Sequence, residues 1–334
     1  MTKRNKYPAT RLDTAFTQFG RRIRSGRAAG GGLQRSSLRR LADYYLLAAE
    51  RADVAITPNR YRVPLGVKAV RALPPSLDNY RGALTWLAEE QRNLVAVCVA
   101  AGNCGFDKVC WQLAYTLRGY FYLVKPLDDW ITTHRAALKA TRRLRDARAE
   151  ATTRNNIGLA YLELGQPGTA AHHYRRAVEL ADRARDMHGA MTARANFAWL
   201  RFTQRRFAEF LIEIAPAYSF YVRSAARRNA AITLRGIGLA EGELGRLGDA
   251  VAHLHQALAT FVALNLRLDA AMTLNALGDA YRLSGAADAA AEAYQQGLDA
   301  SEACGSRFEQ ARARRGLAGA TSRHCVGTNC CSAG

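Results

Sequence analysis

The sequence predicts an all-α fold, an α-solenoid of helical hairpins with a period of about forty residues. Two observations carry that prediction. Identical residues return at forty- and eighty-residue offsets without gaps over about 200 residues. Outside the repeats, apolar residues recur at three- and four-residue steps, the spacing of an amphipathic helix. The 334 residues, 49% hydrophobic, hold ample material for a core, in two compact domains or one extended array.

The chain starts in a strongly basic segment. Residues 1–72 hold 16 Lys and Arg against 4 Asp and Glu, a net +12 of the chain's +20. That balance excludes an acidic solvating protein and leaves a basic surface for nucleic acid, anionic lipid or an acidic partner. The string GRRIRSGRAAGGGLQRSSLRR joins arginine clusters to a glycine run unsuited to a helix, so residues 1–36 are expected to form a disordered basic arm. Arg21, Arg22, Arg24 and Arg27, with Arg39 and Arg40 beyond the arm, are its candidate phosphate contacts. A nucleic-acid-binding regulator using this arm is one reading. The other is a solvated tail whose 42 arginines against 6 lysines follow coding bias, since no aromatic residues interleave with the basic ones. The N-terminus has no apolar h-region, and the apolar run Leu94–Ala101 is too short to span a bilayer, so a cytoplasmic protein with no membrane partner is expected. Seven cysteines, an odd number without secretory context, argue against a disulfide framework.

From Ser37, a plausible N-cap, LRRLADYYLLAAERADVAI has helical spacing, and TPNRYRVPL with its two prolines reads as a linker; together they span residues 37–75. A second helical stretch begins near Ser76 and stops at Gly102. Residues 76–320 are expected to be the repeat domain and 321–334 a flexible, cysteine-containing tail.

Within the repeats, RNNIGLAYLELGQPGTAAHHYRRAVELA from Arg154 aligns with LRGIGLAEGELGRLGDAVAHLHQALATF from Leu234. Gly158/Gly238, Gly165/Gly245, Ala170/Ala250 and Ala177/Ala257 coincide, and Gly278, Gly285, Ala290 and Gly297 continue the phase. Leu117, Trp130 and Ala137 keep it upstream, while Leu317 and Ala318 start a last partial copy. Helix A of each unit ends at a turn marked by Gly165, Gly245 or Gly285, where a left-handed residue costs glycine nothing; Arg205 replaces it once. Gly158, Gly238 and Gly278 sit mid-helix at a cost of about 1 kcal/mol against Ala, which requires another helix packed on them. A lone hairpin cannot cover its apolar face, so the units must stack.

The pattern in NIGLAYLELG…AAHHY and ALGDAYRLSG…AEAY resembles the tetratricopeptide repeat, with units of forty rather than thirty-four residues and no helix-closing proline. This longer variant resembles the C-terminal repeats of actinomycete NB-ARC (STAND-type) transcriptional regulators, including the Streptomyces antibiotic regulatory proteins. LRRLADYYLLAAERADVAI resembles the helix closing their ATPase region, and ALTWLAEEQRNLVAVCVAAG…CWQLAYTLRGYF the lead-in to their repeats; the likeness covers roughly residues 37–320. It implies a scaffold that binds a protein or peptide in transcriptional regulation or signalling. The G-x-x-x-x-G-K-[ST] loop and the winged-helix head of such regulators have no counterpart in these residues, since AGGGLQRS lacks the Lys-Ser/Thr. The expectation is a regulator's sensing and scaffolding part, with an ATPase or DNA-binding partner in trans, or else a truncated remnant of a larger regulator.

The resemblance also implies that helix A of each hairpin lines a concave, peptide-binding groove. Its groove positions fall on Asn155, Leu159 and Leu162, on Trp199 and Phe202, on Arg235 and Leu239, and on Asn275, Asp279 and Arg282. Asparagines can hold a peptide backbone through paired hydrogen bonds, and Trp199 and Phe202 can anchor an apolar side chain. Against that stands simple packing of Leu159, Leu239 and Trp199 between neighbouring helices. No metal or cofactor is expected. His172 and His173 are adjacent, His253 and His255 two apart, and none has the i, i+4 spacing of a helical zinc pair. His134 holds the repeat position of Tyr174 and Tyr294 and reads as a packed core residue. Cys98, Cys104 and Cys110, spaced by six, and Cys325, Cys330 and Cys331 match no Cys-x-x-Cys pair. No G-x-S-x-G, H-E-x-x-H or dinucleotide fingerprint occurs, so a binding protein rather than an enzyme is expected.

Overall fold

The computed structural model describes residues 31–67 and 73–327, with side chains described for 35–67 and 73–320. Among the described residues the chain is all-helical. The helices are α1 (Gly31–Ile56), α2 (Tyr80–Asn103), α3 (Asp107–Val124), α4 (Leu127–Leu144), α5 (Ala147–Glu163), α6 (Pro167–Arg183) and α7 (Met187–Thr203). They continue as α8 (Phe207–Arg223), α9 (Arg227–Glu243), α10 (Leu247–Ala263), α11 (Arg267–Leu283), α12 (Ala287–Cys304) and α13 (Arg307–Gly327). A 3-10 turn (Pro75–Asp78) precedes α2, whose first turn is capped by the Asn79 side chain accepting from the Gly82 amide at 2.8 Å. No helix among the described residues is long and apolar enough to cross a membrane.

Two expected boundaries move. The first helix begins at Gly31 rather than Ser37, so residues 31–36 belong to it and Ser37 is interior, accepting from Arg40 at 3.0 Å instead of capping. The glycines at its first turn weaken the helix without stopping it, because the apolar face that follows is buried at Leu38, Ala42, Tyr45 and Leu46. At the other end α13 continues past residue 320 to Gly327, taking in Cys325; Cys330 and Cys331 lie outside the described residues.

From α5 onward the helices start at strict twenty-residue intervals, half the repeat: Ala147, Pro167, Met187, Phe207, Arg227, Leu247, Arg267, Ala287 and Arg307. Each turn places one residue in the left-handed region: Arg145, Gly165, Arg185, Arg205, Ala225, Gly245, Asn265, Gly285 and Gly305. The amide after it bonds back to a carbonyl five residues earlier, as in Gln166 to Tyr161 at 2.8 Å and Arg246 to Glu241 at 2.9 Å. This Schellman closure satisfies the orphan carbonyls of the helix end whether or not glycine is present. Arg205 therefore makes the same turn as its glycine counterparts, at φ 59°.

The contacts group into two compact units, one holding Tyr61–Phe121 and Pro126–Asp186 with the described part of Met1–Ile56, the other holding the described part of Met187–Gly334 with Thr57–Arg60 and Tyr122–Lys125. In the first, α1 packs on α2, α2 on α4, α4 on α5, and α5 pairs with α6. Leu117, Trp130 and Ala137, in phase with the repeat, are buried there, as is His134, whose Nδ1 lies 3.0 Å from the Trp130 carbonyl. In the second unit, hairpins α7/α8, α9/α10 and α11/α12 are followed by α13. Each hairpin packs on the next, and the A helices α9, α11 and α13 also touch one another in succession.

The mid-helix glycines have the predicted cause. A Cβ on Gly158 would lie 2.7 Å from the Tyr174 ring, and one on Gly278 2.6 Å from Tyr294; one on Gly238 would meet Leu254 at 3.0 Å. Where helix B carries the bulky aromatic, helix A carries no side chain; where helix B has Ile214, helix A has Ala198, and both are buried. Volume is conserved across the hairpin, as a close-packed core demands.

Candidate functional site

In the second unit α11, α12 and α13 enclose a recess of about 370 Å³. Asp279 and Arg282 line it from α11, Tyr294 from α12, and Arg312, Arg315, Gly316 and Gly319 from α13. The α13 residues follow steps of three and four, so one helix face supplies them all. Tyr294 reaches the recess because it threads between two glycines: Gly278 on one side and Gly316 on the other leave no Cβ in the way of its ring.

Asp279 organises the site. Its Oδ1 accepts from the Tyr294 hydroxyl at 2.6 Å and its Oδ2 from Arg312 Nη2 at 2.6 Å. Burial, then the hydrogen bond and charge of Asp279, push the Tyr294 phenol up to about 12, while Arg282 pulls it the other way. The phenol is therefore a neutral donor at physiological pH. The guanidinium groups of Arg282, Arg312 and Arg315 line the recess with the Asp279 carboxylate; Arg312 also lies 3.8 Å from Glu309, and among the described residues Arg282 and Arg315 form no ion pair. The recess is thus electropositive.

Behind it, consecutive A helices are joined by a repeated bond. Arg235 on α9 pairs with Asp269 on α11 at 3.2 Å, and its guanidinium lies 5.5 Å from the Phe261 ring centre. Forty residues on, Asn275 on α11 donates to Glu309 on α13, at 2.9 Å to Oε2. Both pairs are buried and both span thirty-four residues. Arg228 adds a second guanidinium to Asp269 at 3.4 Å.

These pairs correct part of the expected groove. Arg235 and Asn275 are buried and bonded to the next A helix, so they join helices instead of facing a ligand; Asn155 is buried as well. Position in the repeat indicated a helix face, but at Arg235 and Asn275 the following A helix covers it. Trp199 and Phe202 come together, 5.0 Å between ring centres, within an aromatic cluster that includes Phe207 and Phe210. Trp199 also packs on Gly236 of α9. Leu239 packs beside the α10–α12 core, and Leu159 and Leu162 are half-buried on α5. Of the ten expected positions, the recess brings together Asp279 and Arg282.

Of the candidate phosphate contacts, Arg39 pairs with Asp43 at 2.9 Å and lies over Phe106, and Arg40 holds Ser37. Arg21, Arg22, Arg24 and Arg27 lie outside the described residues. The histidines have local partners: His173 stacks on Tyr161, His253 Nδ1 is 2.7 Å from Glu241, and His255 Nε2 is 2.9 Å from the Tyr281 hydroxyl. Cys98, Cys104, Cys110 and Cys304 are buried thiols; a hydrogen bond with the Cys110 side chain, then burial, holds the Cys98 thiol well above its usual range.

Sequence reasoning missed Tyr294, Arg312 and Arg315. The signal for Arg315 was present, since the forty-residue step from Asn275 lands on it, in the last partial copy.

Family models described as tetratricopeptide repeat match residues 151–184 and 229–303. A search of curated proteins finds no match. Among solved structures, a Rap protein complexed with Competence and Sporulation Factor superposes with a TM-score of 0.56 at 12% identity, over 74% of this chain and 82% of that one. Aspartyl phosphate phosphatase F from Bacillus subtilis gives 0.55 at 13% identity, over 98% and 85%. The apo form of RapI gives 0.51 at 13%, over 66% and 81%. Such distant likeness establishes a shared fold, an all-α solenoid of tetratricopeptide-like hairpins.

Proposed function

We infer that this chain is a binding scaffold that takes a protein segment or peptide on the exposed faces of its A helices, in a regulatory or signalling setting. The observation that carries this reading is the open recess on α11–α13, where two A helices present Asp279, Arg282, Arg312 and Arg315 around one cavity. Stacked hairpins supply these groups already in place, which lowers the ordering cost of association. A similar fold solved in complex with a factor supports the class of partner. The regulatory setting draws on the resemblance of residues 37–320 to NB-ARC regulators, whose ATPase or DNA-binding modules would act in trans. In the second unit Trp199, Phe202 and Leu239 extend the proposed contact surface along the A helices, with Arg235 and Asn275 supporting it from behind; in the first unit Leu159 and Leu162 are the proposed contacts on α5, with Asn155 behind them.

A random peptide display library panned against the purified chain tests the reading. Enriched peptides should bind in solution and slow amide exchange in α11 and α13. Failure to enrich any peptide, or protection confined to the B helices, overturns it.

A further inference from the structure

The recess has more to say about its ligand, on the premise that the scaffold reading above is right. The position held by Arg235, Asn275 and Arg315 recurs at forty-residue steps in successive A helices. Asn155 and Ala195 hold it in the earlier units; of its three later occurrences the first two hold a side-chain carboxylate, Asp269 for Arg235 and Glu309 for Asn275. Arg315 is the third. It is exposed, forms no ion pair among the described residues, and opens onto the recess beside Arg282. Arg312 is held by Asp279 and lies 3.8 Å from Glu309, and the neutral Tyr294 hydroxyl forms the wall. Asp279 has both oxygens engaged by Tyr294 and Arg312, and Glu309 also faces Arg312, so the charges of Arg282 and Arg315 are the ones left without an ion pair among the described residues.

We propose that the recess is a recognition site for a side-chain carboxylate of an acidic peptide segment, held between Arg282 and Arg315. A planar guanidinium pairs with a carboxylate through two parallel hydrogen bonds, so two of them fix the orientation of the acid as well as attract it. The internal pairs favour Asp and Glu side chains over a chain terminus, because both carboxylates already bound at this repeat position are side chains.

The probe is a fluorescein-labelled, glutamate-rich octapeptide with both ends blocked, followed by fluorescence anisotropy with the full chain. Its comparators are the glutamine analogue and that same analogue with a free C-terminal carboxylate. The blocked glutamate peptide should bind, and the blocked glutamine analogue should bind at least about tenfold more weakly, the scale of a lost charge-assisted hydrogen bond. Arg282→Gln and Arg315→Gln should each weaken the glutamate peptide by about tenfold. Arg314→Gln is the control, since Arg314 bonds Glu302 on α12 at 3.0 Å and does not line the recess. Arg315→Glu should favour a lysine-rich peptide instead. Equal binding of the blocked glutamate and glutamine peptides, or equal loss in Arg314→Gln and Arg315→Gln, overturns the proposal. So does preferential binding of the free C-terminus. Display-selected peptides that dock at α11–α13 without needing an acidic residue leave the scaffold reading standing and remove this one.

Discussion

Single residues carry conformational costs that a local change can release. Ala225 sits at φ 54°, in the turn after a B helix, where Gly305 occupies the matching left-handed position two repeats on. A Cβ there costs roughly 1–2 kcal/mol, partly offset by the larger entropy a glycine loses on folding. Ala225→Gly should therefore raise stability by about 0.5–1 kcal/mol in urea denaturation. Gly158→Ala is the converse. Helix propensity favours the alanine by about 1 kcal/mol, but its Cβ would stand 2.7 Å from the Tyr174 ring. Overpacking of that kind costs about 1–3 kcal/mol, so a net loss is expected, and Tyr174→Leu in the same chain should recover part of it. His173 gives the pH dependence. Burial first, then Arg154, His172, Arg135 and Arg142, lower its pKa to about 4. Between the unfolded value near 6.5 and about 4, the unfolded chain binds more protons, so His173 contributes stability near pH 7 that is lost as pH falls through that window. Stability should fall between pH 7 and pH 5, and His173→Gln should flatten this part of the profile.

Between helices, the decisive elements are the polar pairs that bridge successive A helices. Asp269 accepts from Arg235 and faces Arg228 as well, and all three are largely buried. Removing the carboxylate strands two guanidinium groups away from water, whereas removing Arg235 leaves Asp269 with Arg228. Asp269→Ala should cost about 3–5 kcal/mol and Arg235→Ala clearly less, measured by thermal or urea unfolding. Equal losses would mean that Arg228 does not share the carboxylate. The repeated residues announced the hairpins, because glycine against tyrosine and alanine against alanine are local size rules. They could not announce these bridges: Arg235, Asn275 and Arg315 occupy one repeat position, yet two are buried and one is open. The difference is that Asp269 and Glu309 reach Arg235 and Asn275 from the next A helix, while Arg315 is exposed.

For the molecule entire, the dominant long-range fact is charge. A formal +20 at neutral pH opposes compaction, since most of the arginines among the described residues are exposed. The exposed ion pairs offset little, at about 0–1 kcal/mol each. Raising sodium chloride from about 20 to 300 mM shortens the screening length to roughly 6 Å and damps the repulsion across the surface more than the contacts within pairs. The melting temperature should rise by about 2–5 °C; a fall would show that local pairs outweigh the repulsion.

Period, hairpin order, buried glycines and turn positions were legible in the chain because helix formation and close packing obey spacing rules that act over a few residues and simply repeat. The left-handed arginines were less legible, since the Schellman bonds make the turn without needing a special residue. Asp279 and Arg282 were named from the repeat, but which polar residues of that face stay open came only with the packed helices. Burial depends on what the rest of the fold lays against a side chain, and that is a property of three helices meeting at one recess, not of any one segment.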